Sequence, residues 1–443
     1  MSGLRQNGSR LRIACTASAA LFATGVVACS HSSIPHPANR AAASGPIQHV
    51  IIIVQENRSF DNMFNGFPGA DTVTVGQTKL GPQPLAPVPY VDGSLDNGHF
   101  HRSFTAAYDG GQMDDFNAEG TYTTVGCGYC PTPGPPNFAY AYLPQSETKP
   151  YWDLAAQFTL ADKMFASNSG PSFPAHQYLI AGQSDDVAEV PNGPYWGCDD
   201  TPGSLAAQLD SDGNETPGVF PCFDYPTLAD SMDAAGVTWR YYVPQPLYIW
   251  NAYDAIRHIR YGKDWTTNVI TPETTVFTDI AGNDLAQVSW VVPQLTNSDH
   301  GLANSSTGPQ WVASIVDAVG ASPYWKNTAI LIVWDDWGGW YDHVPPPQLD
   351  VMGLGFRVPL IVVSPYARHG YISHVQHEFG SILRFTETTF GLPSLGTADA
   401  RADSLQDCFD FTQSVTPLQP VATFMKPADF LRQPRSLKPP DPI

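Results

Sequence analysis

The sequence predicts an α/β protein, a three-layer α/β/α sandwich on a mainly parallel central sheet with long loop insertions. Three observations carry that expectation. The first is an unbroken run of β-branched residues, Val50-Ile51-Ile52-Ile53-Val54, which reads as a strand buried on both faces under helices. The second is a run of the same kind, Thr328 to Trp334, set behind an amphipathic helical pattern from Trp311 to Val319. The third is that both runs turn polar at once, into Glu56-Asn57 and into Asp335-Asp336. In open α/β sheets, ligands bind at the carboxyl ends of strands.

From the start of the chain, residues 1–28 carry Arg5, Arg10 and Arg12 and no acid, then an apolar run to Ala28. This reads as a signal peptide, too short and too diluted by Ser, Thr and Gly to span a bilayer. Val26-Val27-Ala28-Cys29 resembles a lipoprotein processing site that leaves a lipidated Cys29. Cleavage at a nearby small residue is the alternative and leaves no lipid. Residues 29–45 are rich in Ser, Pro and Ala and read as a flexible tether. About 415 residues remain after the leader, and with no repeat or second linker they are assigned one catalytic domain over 46–425.

Within it, 66–150 and 192–226 read as loop-rich insertions. Tyr151 to Phe158 is helical by spacing. Thr238 to Val243 and Gln287 to Pro293 read as strands, and Val358 to Pro365 as the last core strand. A helix is expected to open near Ser373 and run through Phe385, with His377 and Glu378 in its first turn. The Pro-rich tail, 426–443, is expected to be irregular. No later segment is long enough to cross a membrane as a helix.

The formal charge is −20, and removing the leader arginines takes it to −23. Nucleic acid is therefore not an expected partner, because phosphate backbones need a basic footprint. Cys127-Gly128-Tyr129-Cys130 lies in a Gly/Pro-rich loop without the βαβ setting of a redox motif or a second ligand pair for zinc. Disulfides Cys127–Cys130 and Cys198–Cys222 are expected, with Cys408 free and buried.

Two strands that each end in acidic groups bring three carboxylates and one amide oxygen to one sheet edge. A lone Asp pair is more often a solvated loop start. Two such clusters together repel each other unless a cation sits between them. Glu56, Asn57, Asp335 and Asp336 are thus candidate ligands for one divalent ion; oxygen donors favour Ca²⁺, Mg²⁺ or Mn²⁺, with Zn²⁺ admissible. Ser172 follows a run of small and turn-forming residues and precedes Pro174, where a helix can begin. Its plain reading is a helix N-cap. Its chemical reading is a nucleophile, because a helix N-terminus favours both an alkoxide and a phosphate, and a neighbouring metal ion lowers the hydroxyl pKa.

Glu56-Asn57-Arg58-Ser59-Phe60-Asp61 after an apolar strand, with the later Asp335-Asp336-Trp337-Gly338-Gly339-Trp340-Tyr341-Asp342-His343-Val344-Pro345-Pro346-Pro347, resembles the bacterial phosphoesterase family. That family holds secreted phospholipases C and acid phosphatases within the alkaline-phosphatase-like superfamily. The resemblance runs from about Pro46 to about Phe411. It implies an alkaline-phosphatase-like fold and phosphoester hydrolysis through a phosphoserine, with Ser172 standing before x-Pro as the superfamily nucleophile does. It implies that Asp96-Asn97-Gly98-His99 with Gly110-Gly111-Gln112-Met113-Asp114-Asp115-Phe116 is the family's histidine-bearing pair, which makes His99 a catalytic candidate. Gln112 and Asp115 depart from the usual lysine and glycine, and His101 competes with His99. His300 matches the family's histidine after a strand, although Gly301 replaces the usual proline, and His374 fits a further imidazole near the phosphate. His300, His374 and His377 make no clean second metal site, so one metal ion is expected.

The implied partner is a phosphate-ester small molecule or a phospholipid headgroup, and the implied membrane link is only a lipid on Cys29. A non-catalytic, lipid-anchored binding protein on the same scaffold is the second reading. Retention of Ser172 with all four ligand candidates weighs against it. Sulfate-ester hydrolysis is the third, disfavoured because His176 stands where a sulfatase motif carries arginine.

Overall fold

The computed structural model describes residues 43, 45–91, 95–127, 129–303 and 305–436. The leader (1–28), Cys29, nearly all of the tether and residues 437–443 of the tail lie outside the described residues.

The central sheet has eight strands. In chain order they are β1 (His49–Gln55), β2 (Thr159–Ala161), β3 (Trp239–Tyr242), β4 (Val269–Ile270), β5 (Val288–Val291), β6 (Thr328–Trp334), β7 (Leu360–Val363) and β8 (Tyr371–Ser373). Across the sheet the order is β4-β3-β5-β1-β6-β7-β2-β8. All run the same way except β7, which is antiparallel to both neighbours. The β-branched run forms the centre as expected. β1 and β6 are buried at every position, which requires cover on both faces.

That cover is helical. Helix α1 (Phe60–Phe64) follows β1, and α2 (His101–Tyr108) lies in the first insertion. Then come α3 (Lys149–Gln157), α4 (Ser172–Ala181), α5 (Leu228–Ala235), α6 (Thr275–Gly282), α7 (Gly308–Gly320) and α8 (Phe379–Phe390). α7 packs with α3 and α6, while α4 packs with α8 and α5. The domain is a three-layer α/β fold with a mainly parallel central sheet.

Several expectations are corrected. α8 starts at Phe379, because Glu378 caps it and pairs reciprocally with Ser381. His377-Glu378 instead form a short parallel bridge with Met164-Phe165. The tail is not wholly irregular: Pro427–Phe430 makes one helical turn (α9), and Phe430 packs on Phe277 and Trp311. Residues 66–150 carry small sheets as well as loops, such as the hairpin of Val75–Thr78 with Gly81–Pro84. An aromatic cluster of Phe104, Phe116, Tyr140, Trp337, Tyr341 and Phe356 anchors them. Both expected disulfides are present, and Cys408 is a buried free thiol.

Candidate active site

Register brings the two acidic strand ends together. Gln55 pairs with Trp334, and the Asp335 N–H donates to Gln55 O at 3.0 Å. The strands therefore stop level, and the next residues of each face one another. Asn57 takes a left-handed backbone (φ 58°), and its N–H donates to Asp335 Oδ1 at 3.2 Å. The opposite loop turns on Gly338 (φ 60°). A Cβ there would stand 2.2 Å from Asn57 O, so only glycine lets the loops approach this closely. The Gly338 N–H donates to Asp336 Oδ1 at 2.6 Å and fixes that carboxylate.

Helix α4 brings in the hydroxyl. Ser172 is its first helical residue, one place inside the N-cap position expected from the sequence, which Pro171 occupies. Ser172 Oγ lies 3.2 Å from Asp336 Oδ2 and 3.4 Å from Glu56 Oε2. Asn57 Nδ2 lies 3.4 Å from the same Oγ. Glu56, Asn57, Ser172, Asp335 and Asp336 are all fully buried. Three buried carboxylates, two of them against one hydroxyl, are costly unless a positive charge joins them. Asn57 Oδ1 and Asp335 Oδ2 are moreover buried without a hydrogen-bond partner. The donor set is thus that of a cation site, and the residues present fit a divalent ion.

His176, passed over in the sequence, completes this group. It lies one helical turn beyond Ser172, so both side chains share a face of α4. His176 Nε2 is 2.9 Å from Glu56 Oε1 and 3.7 Å from Asp335 Oδ2. Glu56, His176 and Asp335 each offer a ligand atom within 4.8 Å of the others.

The expected histidines divide. His99 adjoins the site: Asn57 Nδ2 donates to its Nε2 at 2.9 Å, and its Nδ1 donates to Asn97 O at 2.8 Å. His300 stands edge-on to His99, with ring centroids 6.0 Å apart. Its Nδ1 accepts the Leu302 N–H at 3.1 Å, which puts its proton on Nε2. Asp96, His99 and His300 form a second tight group of ligand-type atoms. Asp299 holds the His300 loop: buried, it accepts from Tyr151 Oη at 2.9 Å, from Trp334 Nε1 at 2.8 Å and from Tyr90. Burial pushes its carboxyl up to about 6.

His374 is not brought in. It follows β8, three strands from β6 at about 4.8 Å per strand. Its Nδ1 is 2.8 Å from Asp162 Oδ2, and its side chain is 58% exposed. His101, the competitor of His99, is 3.1 Å from Ser169 O instead. The far ends of the two motifs form a brace. Arg357 binds Asp342 through Nε at 2.8 Å and Nη2 at 3.1 Å, and His343 Nδ1 is 2.7 Å from Asp61 Oδ2. Arg357 supplies the positive charge in that acidic group, so it reads as structural.

A model described as the Phosphoesterase family matches residues 47–393. The non-hemolytic phospholipase C of Pseudomonas aeruginosa is 24% identical over 446 residues, covering 87% of this chain and 60% of the relative. Phospholipase C A of Mycobacterium tuberculosis is 25% identical over 417 residues, covering 78% of this chain and 73% of the relative. The chain thus spans 60% of the length of the Pseudomonas relative. Among solved structures, an alkaline phosphatase superfamily protein from Vibrio parahaemolyticus aligns at 11% identity with a TM-score of 0.38, over 84% of this chain and 74% of that one.

Proposed function

The chain belongs to the Phosphoesterase family, and from that premise we propose that it hydrolyses phosphoester bonds with Ser172 as nucleophile. Its substrate class is a phosphate monoester or a phospholipid headgroup diester, as the phospholipase C relatives suggest. Glu56, Asn57, Asp335, Asp336 and Ser172 hold one divalent ion, Ca²⁺, Mg²⁺, Mn²⁺ or Zn²⁺. When bound, that ion supplies Lewis-acid charge that lowers the hydroxyl pKa and offsets charge on the phosphate.

The residues of the chain do the rest. The Ser172 hydroxyl has Asp336 Oδ2 at 3.2 Å as its proton acceptor. The N-terminus of α4 presents free N–H groups and a positive dipole end to the phosphate. Ser172 Oγ attacks phosphorus in line, the ester oxygen leaves, and a phosphoseryl enzyme forms. His300 offers its Nε2–H to the departing oxygen as a hydrogen bond, that oxygen takes its proton from solvent, and His99 holds Asn57 in place. Water then attacks phosphorus and gives its proton to solvent, and the serine oxygen leaves and recovers its proton from Asp336, releasing phosphate from a monoester or a phosphomonoester from a diester.

The observation that carries this reading is one buried hydroxyl within 3.4 Å of two carboxylates and an amide at a helix N-terminus. Export through the 1–28 leader, lipidation of Cys29 and a catalytic domain over 46–425 belong to the same proposal. Among the described residues no helix is long and apolar enough to cross a membrane. The test compares p-nitrophenyl phosphate with p-nitrophenylphosphorylcholine, using metal-stripped and metal-restored protein beside Ser172→Ala. Turnover that needs both metal and Ser172 is expected, and the favoured ester assigns phosphatase or phospholipase C chemistry. Turnover independent of metal contradicts the proposal.

A further inference from the structure

Another set of ligand-type side chains lies where β8 ends, and it shares no residue with the Glu56 group. His377 is buried against the short helical turn Gln406–Cys408. Its Nε2 is 3.6 Å from Asp407 Oδ1 and 4.0 Å from Cys408 Sγ. Cys408 Sγ is in turn 3.7 Å from Asp407 Oδ1. We propose that His377, Asp407 and Cys408 form a metal site for a thiophilic divalent cation, Zn²⁺ before any other.

The triangle has the right size. A tetrahedral zinc ion with ordinary Zn–S, Zn–N and Zn–O bonds keeps its donors about 3.4–3.6 Å apart. One edge here falls in that range, and the other two exceed it by only a few tenths of an ångström. The donors are also right in kind. Thiolate and imidazole beside one carboxylate select zinc-like ions over Mg²⁺ or Ca²⁺, whereas the Glu56 group is mostly oxygen.

The surroundings are those of a ligating histidine. Asp403 Oδ1 takes the His377 Nδ1 proton at 2.7 Å, so a bound cation would replace the hydrogen bond from Nε2 to Ser373 Oγ and leave Nε2 as the donor atom. A carboxylate behind the far nitrogen is the usual partner of a metal-bound imidazole. Asp403 is itself fixed by Ser381 Oγ at 2.6 Å and by the Leu405 N–H at 2.8 Å. Ser373 Oγ, which donates to Asp407 and stands 2.9 Å from Nε2, is a fourth donor atom beside the triangle.

The Asp407 side chain is 23% exposed and gives an ion a way in, while His377 is sealed. Binding releases the Cys408 thiol proton to solvent, and the S–metal bond replaces S–H. Such an ion clips the 403–408 segment to the edge strand of the sheet.

The test is Co²⁺ loading of the chelator-stripped full chain. The expected result is a thiolate-to-cobalt charge-transfer band in the near ultraviolet that saturates with excess Co²⁺ and is lost in Cys408→Ser. His377→Gln is expected to weaken Co²⁺ at this site at least tenfold while the other centre still turns over phosphoester. The band is specific to sulfur, so it reports on this site whether or not the Glu56 group binds metal or catalyses anything. The wild-type spectrum also stands if a variant fails to fold. No thiolate band in the wild-type chain, or a band that survives Cys408→Ser, overturns the proposal.

Discussion

At the head of α4, one turn of helix sets a hydroxyl and an imidazole against the same carboxylate. Ser172 and His176 both reach Glu56, one through Oε2 and the other through Oε1. A carboxylate held from one side presents its other oxygen in a fixed direction. His176→Ala is therefore expected to weaken divalent-metal binding by about 10–100-fold, the usual range for a group that orients a ligand. Calorimetric titration of the stripped protein with Mn²⁺ checks this, and an unchanged affinity contradicts it. His374→Ala is the companion control. His374 sits with Asp162 at the sheet edge and is expected to leave kcat/KM within about twofold, the scale of surface substitutions. The difference between these two histidines shows what residue patterns convey. His374 lies at the correct edge of the sheet, but lateral strand order is not written in the local sequence. His176 was readable as the residue four beyond Ser172 on a helix, but it drew notice only as a mismatch to an arginine.

At the scale of elements, two loops must pass at backbone distance for the strand ends to share a site. Gly338 is the contact point, with a left-handed backbone and Asn57 O where a Cβ would go. Gly338→Ala is expected to cost about 1–3 kcal/mol, from left-handed strain and forced displacement. Because the displaced partner is Asn57, kcat/KM is expected to fall at least tenfold as well. Urea unfolding beside steady-state assays checks both, and wild-type values in both contradict the claim. β1 and β6 were legible because an unbroken β-branched run has few readings other than a buried strand. The antiparallel sense of β7 was not, since a buried strand carries no mark of direction. The start of α8 was misplaced because Glu378 caps the helix by a reciprocal bond with Ser381, a pattern hidden by the histidines around it.

At the scale of the molecule, the fold keeps several carboxyls protonated. Burial pushes Glu189 and Asp254 up to about 8 and Glu273 up to about 7. The unfolded chain releases these protons near the ordinary carboxylate values. Between about pH 4.5 and 8 the folded state therefore binds more protons, and stability falls as pH rises. His343 acts in the same sense. Burial lowers its affinity for a proton, but Asp61 outweighs burial and raises it, so its contribution is also lost at higher pH. Asp224 and Asp403, held below their ordinary range with His258 and His377 beside them, lose their contribution only in stronger acid. A chain of formal charge −20 also relieves self-repulsion on acidification. In chelator, the melting temperature is expected to be higher at pH 5 than at pH 8, by differential scanning fluorimetry. A rise from pH 5 to pH 8 contradicts this.

These scales converge on one atom, Ser172 Oγ, where two strand ends, one helix and one glycine turn meet. The most direct measurement is kcat/KM of Ser172→Ala on the preferred p-nitrophenyl ester with saturating metal. If Ser172 is the nucleophile, turnover falls by at least about 10³-fold, which is at least about 4 kcal/mol of transition-state stabilisation, while the variant keeps its fold. Turnover within a few-fold of wild type removes Ser172 from the chemistry and with it the phosphoserine mechanism.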